Sequence, residues 1–155
     1  MVGKESETRH PVTSIVSHIE GTHQRIRSDL EVLEKSDELG QIHAVVGDLP
    51  DLLKEHFQDE EKPGGLFEAL EALRPVLSSQ LEVLRQEHRK IMQTLKGLQR
   101  QLREADELTE DEDPEERHDR IRVSAAVFVR LIHRHERIES RLVASTYYIE
   151  DGGSG

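Results

Sequence analysis

The chain has 155 residues, the size of one domain, with 21 Lys and Arg against 32 Asp and Glu, a net charge of −11 with His neutral. It has no Cys, which excludes disulfides, thiol chemistry and Cys-ligated zinc or iron–sulfur sites, and its acidity disfavours phosphate backbones as partners. Apolar residues make up only 34% and aromatics 3%, yet nine residues are His.

No apolar run approaches the ~18 residues that cross a bilayer. The first ten residues, MVGKESETRH, contain no signal-peptide apolar region. The expectation is a cytoplasmic protein that binds neither nucleic acid nor membrane. Residues 1–10 read as a disordered tail. From Val12 to Leu33 the apolar positions 12, 15, 16, 19, 26, 30 and 33 form the stripe of an amphipathic helix. The segment Leu39–Glu61 is interrupted by Gly47 and Pro50, so it is either a kinked helix or one that restarts near Asp48 with that carboxylate as cap.

Lys62-Pro-Gly-Gly65 is a break, and Leu66 to Arg74 reads as a short helical connector ended by Pro75. A third long stripe occupies 77, 81, 84, 88, 91, 92, 95, 98 and 102, counting His88. The acidic stretch Glu104 to Glu116 reads as a solvated loop, with Pro114 suited to the first turn of the next helix. The last stripe runs through Ile121, Val127, Phe128, Leu131, Ile132, Ile138 and Leu142. Four long helices and no strand pattern predict an all-α, antiparallel up-down four-helix bundle over residues 11–148, followed by a flexible tail over 149–155.

Helical spacing sorts the nine histidines. His23, His56, His88 and His135 each sit inside the apolar stripe of a different helix, whereas His18, His133 and His118 have polar neighbours, His43 lies on a weak stripe and His10 lies in the tail. Four residues after His56 comes Glu60, and four after His135 comes Glu139, each on the same face. An ionised Glu on a buried stripe is expensive unless paired or bound to metal. Four imidazoles and two carboxylates form an N/O donor set suited to iron or manganese and acceptable to zinc. Six ligands exceed what one open tetrahedral zinc site takes, and match two metals with both Glu bridging and two His on each.

An internal repeat supports this arrangement. Residues 22–33, THQRIRSDLEVL, resemble 87–98, EHRKIMQTLKGL, and HFQDE at 56–60 resembles HERIE at 135–139. The chain reads as two copies of a helix pair, His then His-x-x-x-Glu, which predicts two equivalent half-sites about a pseudo-twofold axis.

With these residues in place, the sequence resembles the hemerythrin-like, cation-binding His-His-Glu family from roughly Pro11 to Leu142. The resemblance rests on His23, on His56-Phe57-x-x-Glu60-Glu61 followed by Leu66-Phe67, on His88, and on His135-x-x-x-Glu139. It implies that His23, His56, Glu60, His88, His135 and Glu139 bind two iron ions with a bridging oxo or hydroxo group, manganese or zinc being substitutes. Oxygen-carrying hemerythrins have His-x-x-x-His on the third helix and an Asp after the last His; here those positions are Met92 and Glu139. The four-His, two-Glu set is instead similar to bacterial proteins linked to peroxide, nitric oxide and iron–sulfur repair, and to eukaryotic iron-sensing domains. The cysteine-bearing N-terminal segment of the repair proteins is absent from this sequence.

The implied function is that of a non-haem di-iron protein binding or reducing O2, peroxide or NO in oxidative or nitrosative stress or iron handling, with catalase-like turnover as one form. The alternative is an iron or oxygen sensor without turnover. The chain is expected as a monomer or homodimer. A ferritin-like bundle is the rival fold: Glu20-x-x-His23 and Glu115-x-x-His118 match its spacing, but the second pair lies on a polar face and the lone buried Glu residues are missing. Glu61 reads either as a partner for an imidazole N–H or as a solvated residue. Tyr147 and Tyr148 either approach the site or pack at the end of the last helix, and Met92 fills core near the metals.

Overall fold

The computed structural model describes the backbone of residues 11–107 and 112–152 and the side chains of 21–107 and 112–146. The elements are α1 (Pro11–Lys35), α2 (Leu39–Glu61), α3 (Leu66–Leu73), a 3-10 turn (Pro75–Leu77), α4 (Ser78–Asp106) and α5 (Pro114–Gly152). No described residue is in a strand. No described helix is long and apolar enough to cross a membrane.

The four long helices form the expected antiparallel bundle, and contacts at each end fix their directions. At one end His118 Nε2 lies 2.8 Å from the Asp37 carbonyl, and Arg122 pairs with Asp37 at 2.9 Å. These tie the start of α5 to the turn between α1 and α2. There too, His43 at the start of α2 meets Asp106 at the end of α4 at 3.6 Å. At the other end Arg74, after α3, donates to Ser145 Oγ at 3.2 Å.

Of the two alternatives for α2, the single helix is the one formed: it runs through Pro50 with no restart and no cap at Asp48. Proline removes one helical hydrogen bond, at ~3 kcal/mol in an exposed helix. Here its stripe is anchored on both sides by Ile42, Val46, Leu49 and Leu53, all buried. Burying each such side chain contributes ~1.5–3 kcal/mol, so together they outweigh the lost bond. One expectation is corrected: spacing puts Val127 on the apolar stripe of α5, but it is 53% exposed. The core instead takes Ile121, Ala125, Phe128, Val129 and Ile132. α5 also runs to Gly152, past the expected boundary at 148, while residues 1–10, 108–111 and 153–155 lie outside the described residues.

Two apolar cores stack along the bundle. The larger joins α1, α2, α4 and α5 around Leu30, Ile42, Leu49, Ile91, Leu98 and Phe128. The smaller joins Leu66, Phe67 and Leu70 of α3 to Leu77, Leu81 and Leu84 and to Leu142 of α5. α3 reaches this position through a tight turn. Gly64 has φ of +78°, a conformation that favours glycine, and Gly65 lies against three carbonyls. A Cβ on Gly65 would stand 2.5 Å from Asp59 O and 2.9 Å from Glu60 O. The polar ligand candidates occupy the layer between the two cores.

Candidate metal centre

Each long helix contributes to that layer at the point where its apolar stripe passes from one core to the other. On α1, His23 precedes Ile26; on α2, His56 and Glu60 follow Leu53; on α4, His88 stands between Leu84 and Ile91. On α5, His135 and Glu139 stand between Ile132 and Leu142. All six are buried: His23 is 7% exposed, His56 3%, His88 and His135 2%, Glu139 2% and Glu60 0%. The structure thus brings together all six residues singled out by spacing.

Two overlapping groups have ligand atoms close enough to hold a cation. Glu60, His88, His135 and Glu139 form one, and His23, His56 and Glu139 form the other. The histidines pair within each sequence repeat: the His23 and His56 ring centres are 4.4 Å apart, and those of His88 and His135 are 4.7 Å apart. The carboxylates cross between repeats. Glu60 of the first copy lies 3.4 Å from His88 Nε2, and Glu139 of the second lies 3.8 Å from His23 Nε2. Each also keeps its own helix neighbour, with Glu60 3.1 Å from His56 and Glu139 3.3 Å from His135.

The outer face of two imidazoles is held by carboxylates. His88 Nδ1 lies 2.9 Å from Glu61 Oε2, and His135 Nδ1 lies 2.7 Å from Glu87 Oε2. A carboxylate only accepts, so each Nδ1 carries a hydrogen and each Nε2 points inward; at His88 it presents a lone pair, and at His135 it must give up its hydrogen to take a cation. Those two Nε2 atoms face each other at 3.0 Å. Two bare lone pairs at that distance repel unless a proton or cation stands between them. Nitrogens bound at ~2.1 Å at right angles around one cation are themselves ~3.0 Å apart. The His88 ring is also stacked between Phe57, at 3.8 Å and 11°, and Phe67, at 5.4 Å and 19°. This fixes the ring plane and keeps water from it.

The layer is unsatisfied on its own. Seven buried side-chain polar atoms among the described residues lack a hydrogen-bond partner, and five of them belong to this set: His23 Nε2, His56 Nδ1, both Glu60 oxygens and Glu139 Oε2. Each such atom costs ~1–3 kcal/mol. Clustered together, they reach the size of a small domain's whole stability, ~5–15 kcal/mol. The donor set therefore fits cations, and nitrogen and carboxylate oxygen suit iron, manganese or zinc.

The electrostatics agree. Burial and the facing Glu139 push Glu60 well above the usual carboxylate range. Burial would raise Glu139 too, but hydrogen bonds from Glu60 and His135 hold it at about 2. Without a cation, burial and the mutual repulsion of the two carboxylates favour a proton held between them. Burial and the neighbouring His23 lower His56 to about 4; burial and His135 lower His88 to about 2. Both rings are neutral at pH 7 with lone pairs free for a metal. Burial acts the same way on His135, but hydrogen bonds and charge from Glu139 and Glu87 outweigh it and raise that ring.

Glu61, left open between partner and solvated residue by the sequence, is the partner of His88. Glu87 was missed. Its only sequence signal is adjacency: it precedes His88 as Glu61 follows Glu60. Met92 is half-buried against the larger core, as expected. His133 stays outside the layer, and His118 points to Asp37 at the far end of the bundle, which removes the ferritin-like pairing with Glu115. The side chains of His18, Glu20, Tyr147 and Tyr148, and His10 altogether, lie outside the described residues.

A family model described as hemerythrin HHE cation binding domain matches residues 14–146. No curated protein and no solved structure matches the chain.

Proposed function

The chain belongs to the hemerythrin HHE cation-binding family, and on that footing we propose that it is a non-haem di-iron protein that binds or reduces a small oxidant. The observation that carries this reading is the pair of inward Nε2 atoms of His88 and His135 at 3.0 Å, with two buried carboxylates beside them. His88 and His135 would hold one metal and His23 and His56 the other, with Glu60 and Glu139 reaching across the two halves. Two ferrous ions bound there would supply electrons to peroxide, O2 or NO and become ferric. The protein's part is positioning. Glu61 and Glu87 lock the tautomers of His88 and His135, the Phe57–Phe67 stack fixes the His88 plane, and the two apolar cores exclude bulk water from both sides.

A second reading, an iron or oxygen sensor without turnover, is favoured by one feature. The ligand layer touches all four long helices between two separate cores, so metal occupancy bears directly on bundle stability. Metal analysis of protein produced with ample iron tests the common ground: about two irons per chain are expected, and their absence overturns both readings. His23→Ala and Glu139→Ala are expected to lose metal while His133→Ala keeps it. Peroxide and oxygen consumption then separate the two, turnover supporting the redox protein. Stoichiometric binding with a large shift in melting temperature supports the sensor.

A further inference from the structure

The outer face of α5 is unlike the rest of this acidic chain. Val123, Val127, Arg130, Arg134, Arg137 and Arg141 follow one another at spacings of 4, 3, 4, 3 and 4, the seam of a two-helix coiled coil. They lie opposite the core face of Ile121, Ala125, Phe128, Ile132 and His135. Val123 is 64% exposed and the four arginines are exposed. Along α1, Arg27 adds to the same basic surface, which lines a groove of about 880 Å³.

The four arginines of α5 have no ion-pair partner among the described residues, whereas Arg27, which meets Glu136 at 3.8 Å, and Lys35, Lys62, Arg85, Arg117 and Arg122 all do. The sequence shows why: none of the four has Asp or Glu three or four positions away. In a chain with 32 acids and 21 bases, four successive unpaired arginines on one face are out of place as mere solubilising charge.

We propose that this face docks an acidic amphipathic helix of another protein, with apolar residues against Val123 and Val127 and carboxylates against Arg130 to Arg141. Arg141 lies 11 positions beyond Arg130, or ~16 Å along the helix axis, the reach of several carboxylates in succession rather than of one ion. The exposed valines continue the same seam and have no use for a phosphate chain, but give a helix an apolar anchor. A second copy of this chain is a poor occupant. Parallel pairing sets each arginine against itself, and the antiparallel register that brings Arg141 to Glu116 sets Arg134 and Arg130 against Val123 and Val127. Arg forks pair with carboxylates bidentately, which gives register as well as attraction. The seam lies away from the ligand layer, so the inference stands independently of the metal.

The test uses the full chain and two labelled synthetic helices of about three heptads, one per orientation, with Leu at two seam positions and Glu at the next four. Fluorescence anisotropy is expected to show saturable, salt-sensitive binding of one helix and none of a scrambled peptide. Arg134→Glu with Arg137→Glu should weaken it by at least roughly tenfold, Val127→Asp should weaken it by roughly several-fold, and Arg89→Glu on α4 should leave it unchanged. All these positions are exposed, and unchanged melting curves check that the variants fold. Failure of both helices to bind, or equal binding by the double variant, overturns the proposal. So does tripolyphosphate binding that senses the arginines but not Val127, which assigns the face to small polyanions. Concentration-dependent dimerisation abolished by the double variant likewise overturns it in favour of a second copy.

Discussion

Removing the carboxylate of Glu87 tests whether tautomer locking matters to the centre. Glu87 Oε2 accepts from His135 Nδ1 at 2.7 Å, and its side chain is 17% exposed; Glu61 does the same for His88 at 2.9 Å but is 35% exposed. A hydrogen bond involving a charged group contributes ~1.5–3 kcal/mol, and outer partners of metal-binding histidines typically change affinity by ~10–100-fold. The shorter, drier Glu87 contact belongs at the upper end, so Glu87→Ala is expected to weaken metal binding by roughly 30–100-fold. Solvent screening at the half-exposed Glu61 places Glu61→Ala nearer ~10-fold. Glu87→Gln keeps a neutral acceptor and is expected to fall in between. Competition between the protein and a chromogenic chelator for Zn2+, a redox-silent probe, reads each affinity directly. If Glu87→Ala stays within about twofold of the surface control Glu82→Ala, outside the ~10-fold floor, the tautomer argument is wrong.

Further outcomes follow from the same geometry. In the metal-free protein, the native-state values of His56 and His88, about 4 and about 2, lie below their ordinary 6.5. The native state then binds fewer protons than the unfolded one, so stability falls as pH drops from 6.5 toward 4, by ~3 kcal/mol for His56 alone; urea melts across that range check it. Glu60 has the opposite sign. Its native value is raised, so stability declines as pH climbs above 4.5, and Glu60→Gln should remove that decline while abolishing metal uptake. Phe67→Ala leaves a cavity between α3 and the His88 ring and is expected to cost ~3–5 kcal/mol by denaturant unfolding. Gly65→Ala pushes a methyl onto the carbonyls of Asp59, Lys62 and Glu60 and should cost ~1–3 kcal/mol, lowering metal affinity as α2 shifts at Glu60. Gly40→Ala, with open space around it, should do neither.

The fold was legible because helical periodicity is local. The stripes of α2, α4 and α5 select one face per helix, and a residue's place on that face follows from its offsets to neighbours three and four positions away. This is why four of nine histidines could be separated from the rest, and why their burial agrees. Where the local pattern was ambiguous, packing decided. Pro50 is carried through α2 by buried neighbours on either side. Val127 meets the apolar pattern of α5 yet faces outward, because the stripe drifts around a long helix and the neighbouring helices cover only one side of it.

What the sequence determined by itself is the inventory of the centre: two His and two His-x-x-x-Glu pairs, one per helix, each inside a buried stripe. The distances at which Glu60 and Glu139 cross between repeats, the inward Nε2 atoms of His88 and His135 at 3.0 Å, the choice of Glu61 as partner over solvated residue, the Glu87 partner and the Phe57–Phe67 stack were decided by the tertiary structure. They depend on the axial shift and rotation of one helix against another. Those are set by how all the side chains of two cores fill space at once, and no spacing within a single helix records them.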